Sequence, residues 1–431
     1  MVTFTGRWRF ADGVRRPRPN VLIGGSPWRA MRLSERGAIQ LDELLDGVEH
    51  HELAAMLSTR RVIVARCEPI ERVNDVSVVI PTIGDGANLL ELTANIPMSC
   101  WVIVVNDGEH EIVARDDRTT VLHTKSPYSG PASARNVGLR EVGTPFVAFI
   151  DDDVRVPDDW VVRLRALCEI PGVMIAAGRI VSAQGSGPAG FLERYACALD
   201  MGEHSGPIGR GRTISYVPSA GFMARTEILG EGFDETLTVG EDVDLIWRTN
   251  AIAAYDASLV ATHAPRATMR QVLRRRFEYG TSAAVLDARH PGSLTHLVLS
   301  DWTALPWLGL TLFGVPGAAV GFAASLIQGP RALPNFPASV AVETMARGQL
   351  HAAKATSRAA LRPYWPITLT AAAVSRRFRR RVLPAIALGY VLAGGNPATV
   401  VDDIAYGTGV WAGCVQQRNL RPLLPKLRWS R

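Results

Sequence analysis

"FVAFIDDDVRVPDDW" (residues 146–160) places three consecutive carboxylates, Asp151, Asp152 and Asp153, directly after an apolar run rich in β-formers. Neighbouring like charges repel, so a triplet at the end of a buried strand needs either water around an exposed turn or a positive partner. The apolar run does not alternate, which reads as a strand covered on both faces. The same reading fits "DVSVVIP" (75–81), "CWVIVVND" (100–107), "TTVLHT" (119–124) and "GVMIAAGRI" (172–180), which alternate with helical segments. An α/β domain on a largely parallel sheet is predicted, with ligands outside the carboxyl ends of its strands.

Composition bounds the rest of the chain. With 431 residues, 47% of them apolar, and a net charge of +6, it can bury a large core and is predicted to form more than one domain. A disordered chain is excluded. Cys67, Cys100, Cys168, Cys197 and Cys414 form no CxxC pair and no zinc-like cluster, which points to a reducing compartment. The first twenty residues lack an apolar stretch of signal-peptide length, so the catalytic parts are expected in the cytoplasm. There is no internal repeat, no low-complexity tract and no P-loop, and nucleic acid is not expected as a partner.

Three regions are predicted. Residues 1–70 contain strands "NVLIGG" and "WRAMRL", a helix opened by Ser34 as N-cap, a second helix "HHELAAML" and strand "RVIVAR", a small winged-helix-like α+β module suited to binding. Ile39, Leu41, Leu44 and Leu45 should form the apolar face of the first helix. Residues 75–295 hold the α/β domain. Residues 296–431 are helical and apolar, and Thr303–Gln328 carries no charge over a length that could span a bilayer, re-enter it, pack as a buried helix pair or lie at an interface. The run "SRRFRRRV" (375–382) could rest on anionic headgroups, so contact with a cytoplasmic membrane face is an alternative to a wholly soluble life.

Chemistry gathers at the strand ends. A divalent cation bound to a diphosphate prefers hard oxygen ligands and often takes only one or two carboxylates from protein. Asp153 is the expected direct ligand, Asp151 is nearer the ribose or the cation's outer shell, and His263 is a candidate third ligand. Thr82, Asp85, Asp107, Arg135, Asp151 and Asp152 are expected on the nucleotide side. In "GFDETLTVGEDVDLIWR" (232–248), Glu241, Asp242 and Asp244 crowd a helix start, and one of them should act as a general base, ionised at neutral pH. Asp158 and Asp159 read as helix-capping acids.

In this order, "SVVIPT", the acid of "VNDG", "GPASARNVGL", "FIDDD", "GFDE" and "GEDVDLIWR" resemble the family 2 glycosyltransferases of GT-A (Rossmann-like) fold, over residues 77–248. The resemblance implies that Asp107 contacts uracil or ribose, that Asp151 and Asp153 form the DxD pair holding Mg or Mn, and that Asp242 is the base of an inverting transfer. Processive members carry QxxRW; here Gln271, Arg274 and Arg275 match it in part, and with Trp247 they are expected on the acceptor side. Residues 20–45 and 263–292 further resemble the branch of the family that works in mycofactocin biosynthesis. That likeness implies a peptide-chaperone-like N-terminal unit, UDP-glucose as donor, a peptide-derived redox cofactor or its precursor as acceptor, and a short β-1,4-linked chain as product. A cell-envelope transferase with a lipid-linked or polysaccharide acceptor is the alternative, and a non-catalytic peptide-binding scaffold a different class.

Overall fold

The computed structural model describes residues 7–25, 28–66, 70, 72–84, 86–114 and 116–428. The N-terminal module contains β1 (Arg7–Phe10), β2 (Arg15–Arg18), β3 (Val21–Gly24), β4 (Arg29–Arg32), α1 (Glu35–Leu45), α2 (His51–Ser58) and β5 (Ile63–Arg66). β2, β3 and β4 form an antiparallel sheet, while β1 pairs with β5. Ser34 caps α1 as predicted, its hydroxyl accepting from the Gly37 amide at 3.0 Å. The buried face of α1 is Ala38, Leu41 and Leu44, whereas Ile39 is 60% exposed. At 100° per residue, Ile39 turns away from the line joining those three.

The central sheet follows: β6 (Val76–Thr82), α3 (Leu89–Ala94), β7 (Trp101–Asn106), β8 (Thr119–His123), α4 (Pro131–Arg140), β9 (Phe146–Ile150), β10 (Val154–Arg155), α5 (Trp160–Leu167) and β11 (Val173–Ser182). After α6 (Gly187–Tyr195) come β12 (Gly206–Ile208), β13 (Gly221–Arg225), α7 (Glu241–Thr249) and β14 (Ile252–His263). All five predicted apolar runs are strands. They belong to one nine-stranded sheet of order β10-β14-β11-β13-β9-β6-β7-β8, with β12 added on β14.

The sheet is largely parallel, as expected, with antiparallel strands let into it. β8, β7, β6 and β9 run parallel, but β13 is antiparallel to both β9 and β11, and β10 and β12 are antiparallel to β14. Because β13 opposes both neighbours, β9 and β11 point the same way, and β14 runs parallel to β11. The ends of β6, β7, β9 and β14 therefore share one edge, which carries Thr82, Asp107, the acidic triplet and His263. Val78, Val79, Val102, Val105, Val147 and Phe149 are essentially inaccessible to water, each such burial contributing about 1.5–3 kcal/mol. α4 closes on this layer at Gly138, where a Cβ would lie 2.5 Å from Val79 Cγ1.

The chain divides into two compact units, residues 1–185 with 197–265 and residues 186–196 with 266–431. These limits differ from the predicted boundaries near 70 and 295. Trp8, Leu22, Leu41 and Leu57 of the N-terminal module share one core cluster with Val76 and Val78 of the sheet. The second unit starts earlier because α8 (Met269–Arg289) packs along α14 (Pro397–Gln416): a Cβ on Gly280 would lie 2.2 Å from the Tyr406 carbonyl oxygen.

Between those helices lie β15 (Val298–Ser300), α9 (Asp301–Phe313), α10 (Val315–Ala332), α11 (Ala338–Leu361), α12 (Trp365–Val374) and α13 (Arg376–Leu392), with β16 (Lys426–Arg428) last. The uncharged stretch 303–328 breaks at Gly314, whose φ is +74°, a value that favours glycine. α9 and α10 then fold back on each other through Gly309 and Gly317, whose backbones nearly touch. The stretch is thus a folded-back pair of helices, with Leu308, Leu312, Phe313, Val315 and Val320 exposed. Among the described residues no single helix is long and apolar enough to cross a membrane.

Candidate active site

Each carboxylate of the triplet has its own protein partner. Asp151 accepts from Arg135 Nη2 at 2.5 Å, Asp152 from the Thr82 hydroxyl at 2.5 Å, and Asp153 lies 2.9 Å from His263 Nε2. Repulsion within the triplet is thereby split among three neighbours contributed by α4, β6 and β14. Asp152 is the deepest. Burial pushes its carboxyl above the usual range against the Thr82 hydrogen bond, with Asp153 and Asp151 adding to the rise. Expected against the donor, Thr82 and Asp152 instead bond to each other, and Asp85 lies outside the described residues.

Arg135 is the hub. It is 3% exposed and reaches Asp151 with one nitrogen and Glu241 with the other, at 3.2 Å. Its burial opposes the charge, and Asp151 and Glu241 more than compensate, so the guanidinium is held charged. One residue of α4 thus ties the end of β9 to the first turn of α7. Arg135 had been expected on the donor; the structure engages both its terminal nitrogens with protein carboxylates.

Asp107 is engaged in the same manner. Its two carboxylate oxygens accept from Thr124 Oγ1 (2.7 Å) and the amides of Ser129 and Gly130 (both 2.8 Å), and its amide donates to Thr82 O. It fastens the loop that enters α4, where Gly130 has φ +102°. A direct contact with base or ribose would have to share oxygens that already hold this loop.

Asp242 sits in the first turn of α7, with Oδ1 accepting from its neighbour's amide, Val243 N, at 2.7 Å and Oδ2 from Ser219 N at 3.3 Å. Burial, and then the adjacent Glu241 charge, push its carboxyl up to about 7, against those two amides and Arg135. It was expected to be ionised at neutral pH. Its burial works against the ionised form. Glu241 is held by the Arg135 guanidinium, whereas the Asp242 oxygens accept from backbone amides.

Sequence reading gave no role to Asn136, Ser219 or Thr124. Asn136 donates to Phe233 O (2.8 Å) and Glu235 (2.9 Å) and accepts from Phe233 N (2.8 Å), fixing the 232–235 loop ahead of α7. Its place beside Arg135 in "SARN" was the available signal. Ser219 and Thr124 act through contacts made only on folding.

A family model described as "Glycosyl transferase family 2" matches residues 77–233, a span that includes Asp107, Arg135 and the triplet and stops short of Asp242. The "Pre-mycofactocin glycosyltransferase" of Mycobacterium tuberculosis, in strains CDC 1551 and H37Rv alike, is 35% identical over 450 residues, 95% of either chain. This chain belongs to glycosyltransferase family 2. Among solved structures, S. aureus TarS 1–349 in complex with UDP-GlcNAc is similar at 14% identity and a TM-score of 0.39, covering 80% of this chain and 92% of that one.

In this family 2 glycosyltransferase, the residues expected on the acceptor side are engaged elsewhere. Trp247 is 3% exposed and donates its indole N–H to Ser215 O at 2.7 Å, a core contact rather than a platform. Gln271 closes a capping box with Thr268 at the start of α8. Arg274 and Arg275 bond Glu278 on their own helix at 2.9 and 3.3 Å. Among the described residues, no three His, Cys, Asp or Glu side chains converge as a self-sufficient metal cage. Asp153, 40% exposed, with His263 beside it, fits the smaller demand of a cation that takes one or two protein ligands and completes its shell from phosphate and water.

Proposed function

We propose that this transferase moves glucose from UDP-glucose to a peptide-derived small molecule in mycofactocin biosynthesis, with inversion and Asp242 as base. The observation carrying this reading is the Asp151–Arg135–Glu241 bridge, which fixes strand end and base helix around Asp242, whose carboxyl burial pushes up to about 7. The likeness to a pre-mycofactocin glycosyltransferase over nearly the whole chain supports the acceptor class.

Asp242 would take the proton of an acceptor hydroxyl as its oxygen bonds to the anomeric carbon; the bond from that carbon to the diphosphate breaks, and UDP leaves with the electron pair. Arg135 pairs with both Asp151 and Glu241, which would hold the end of β9 and the first turn of α7 in place around the reacting atoms. Mg or Mn would be held by Asp153 with His263, in the GT-A manner, and when bound supplies charge stabilisation to the leaving diphosphate. The product would be a short β-1,4-linked chain, and the N-terminal module would serve peptide recognition.

The test is incubation of the protein and Mn²⁺ with isotopically labelled UDP-glucose and a small-molecule extract of the source cells, read by mass spectrometry. A ladder of labelled products one hexose apart supports the proposal. Label confined to the lipid fraction would favour an envelope acceptor. That second reading draws on the second unit, where exposed Phe313 and Val315 flank the α9–α10 turn and Arg381 bonds Leu312 O at 2.8 Å. An apolar tip beside arginines suits the surface of an anionic membrane.

A further inference from the structure

The two edges of the central sheet are built differently. At one edge the outermost strands are β10, of two residues, and β12, of three with Pro207 among them. Shortness and proline are common guards of an edge, whose free amides and carbonyls otherwise invite another strand. The opposite edge is β8, five residues with no proline, no charged side chain and no bulge, and with β7 as its single strand partner among the described residues.

The register shows which of its main-chain groups point outward. Val102 N donates to Arg118 O at 3.0 Å and Thr124 N to Asn106 O at 3.1 Å. In a parallel ladder in this register, residues 118, 120, 122 and 124 bond to β7. The amides and carbonyls of Thr119, Val121 and His123 therefore face away from the sheet. Among the described residues only one of these groups is taken, the Thr119 amide, by Asp116 O at 3.1 Å.

The sequence around this edge is complementary to itself. A second copy related by a two-fold axis at Val121 runs antiparallel, and sets Val121 opposite Val121, Thr119 opposite His123 and Asp117 opposite Lys125. The outward groups at 119, 121 and 123 then fall where an antiparallel ladder forms its hydrogen-bonded pairs. Asp117 and Lys125 are both exposed, and neither has an ion-pair partner among the described residues. The axis makes their contact twice. Apolar surface flanks the strand as well: Val121 and Val113, the latter 71% exposed, line a cavity of about 160 Å³ with Leu89 of α3. Trp101, 55% exposed, lies on the other face with Thr120 and Leu122.

We propose that β8 is the contact through which two copies of this chain pair as an antiparallel two-fold dimer, joining their central sheets into one. Thr124, one residue beyond the strand, donates to Asp107 at 2.7 Å, so the same contact braces the loop that enters α4.

The test is sedimentation equilibrium of the full chain over a range of concentrations. The unaltered protein should follow a monomer–dimer equilibrium. Asp117→Lys and Lys125→Asp each set like charges opposite one another, which is unfavourable across a strand pair, and each should weaken the dimer at least tenfold. An equimolar mixture of the two variants should pair as tightly as the unaltered chain, because opposite charges again meet at both contacts. Val121→Cys, at the axis, should form a disulfide-linked dimer on oxidation, since Cα atoms of such a pair lie about 5.5 Å apart; the unaltered chain controls for the native cysteines. A monomer at every concentration, a dimer indifferent to both charge substitutions, a mixture that stays monomeric, or no linkage at Val121→Cys would overturn the proposal. The readout is mass in solution, so failure of the transfer reaction leaves it unaffected.

Discussion

Asp242 and Arg135 act on each other through charge, which makes each testable by its effect on the other. Removing the base while keeping its shape, Asp242→Asn, should lower kcat by about 10²–10⁴, the usual range for a general base, with donor affinity retained in a titration with UDP-glucose. Unchanged turnover would remove Asp242 from the role. The pH profile carries a sign. The base must be deprotonated and burial has raised its pKa to about 7, so kcat/KM should rise about tenfold per unit below that pH and level off above it. Arg135 lowers the Asp242 pKa, hence Arg135→Leu should shift the inflection upward. The same substitution strands Asp151 and Glu241, and loss of one partner of a buried pair costs about 3–5 kcal/mol. A thermal melt that does not fall would mean that water reaches this bridge.

At the scale of elements, α4 is the piece that organises the site. Gly138 sets its distance from β6, Arg135 reaches β9 and α7, and Asn136 holds the 232–235 loop. Gly232 has φ +83°, and a Cβ there would lie 2.2 Å from Asn136 Oδ1. Gly232→Ala should therefore destabilise the chain by about 1–3 kcal/mol through backbone strain and loss of the Asn136 bonds. Asn136→Ala should cost a similar amount, and the double variant less than the sum, because both act on one contact. Denaturant titrations of the four proteins would measure that coupling.

Elements also mark how far the sequence could be read. Val- and Ile-rich runs announced β6, β7, β8, β9 and β11, and Ser34 announced α1, because burial and capping are local demands. β1 and β2, in "RWRF" and "RRPR", carried too many arginines and prolines to register as strands. β13 gave no sign of its direction, since pairing is settled by neighbours far along the chain. The acids were found by their crowding, but their partners were not. Trp247 and Gln271 had been placed by motif position, and packing and capping claimed them instead.

Over the whole molecule, charge and apolar surface are concentrated unevenly. The net charge is +6, and α13 opens with Arg376, Arg377, Arg379, Arg380 and Arg381. Within the same unit, Phe313, Val315 and Val320 are each more than 70% exposed around the α9–α10 turn. A soluble surface rarely gathers exposed side chains of this size, whereas an interfacial one combines them with cations. If the unit rests on lipid, the full chain should co-sediment with vesicles containing phosphatidylserine, and each arginine near the surface should contribute about 1 kcal/mol. Replacing all five with glutamine should then abolish binding at physiological salt, and Phe313→Ser with Val315→Ser should weaken it even at low salt. Retention of binding by the glutamine variant would leave the apolar turn as the anchor, and failure of the unaltered chain to sediment would assign the exposed side chains to a protein partner instead.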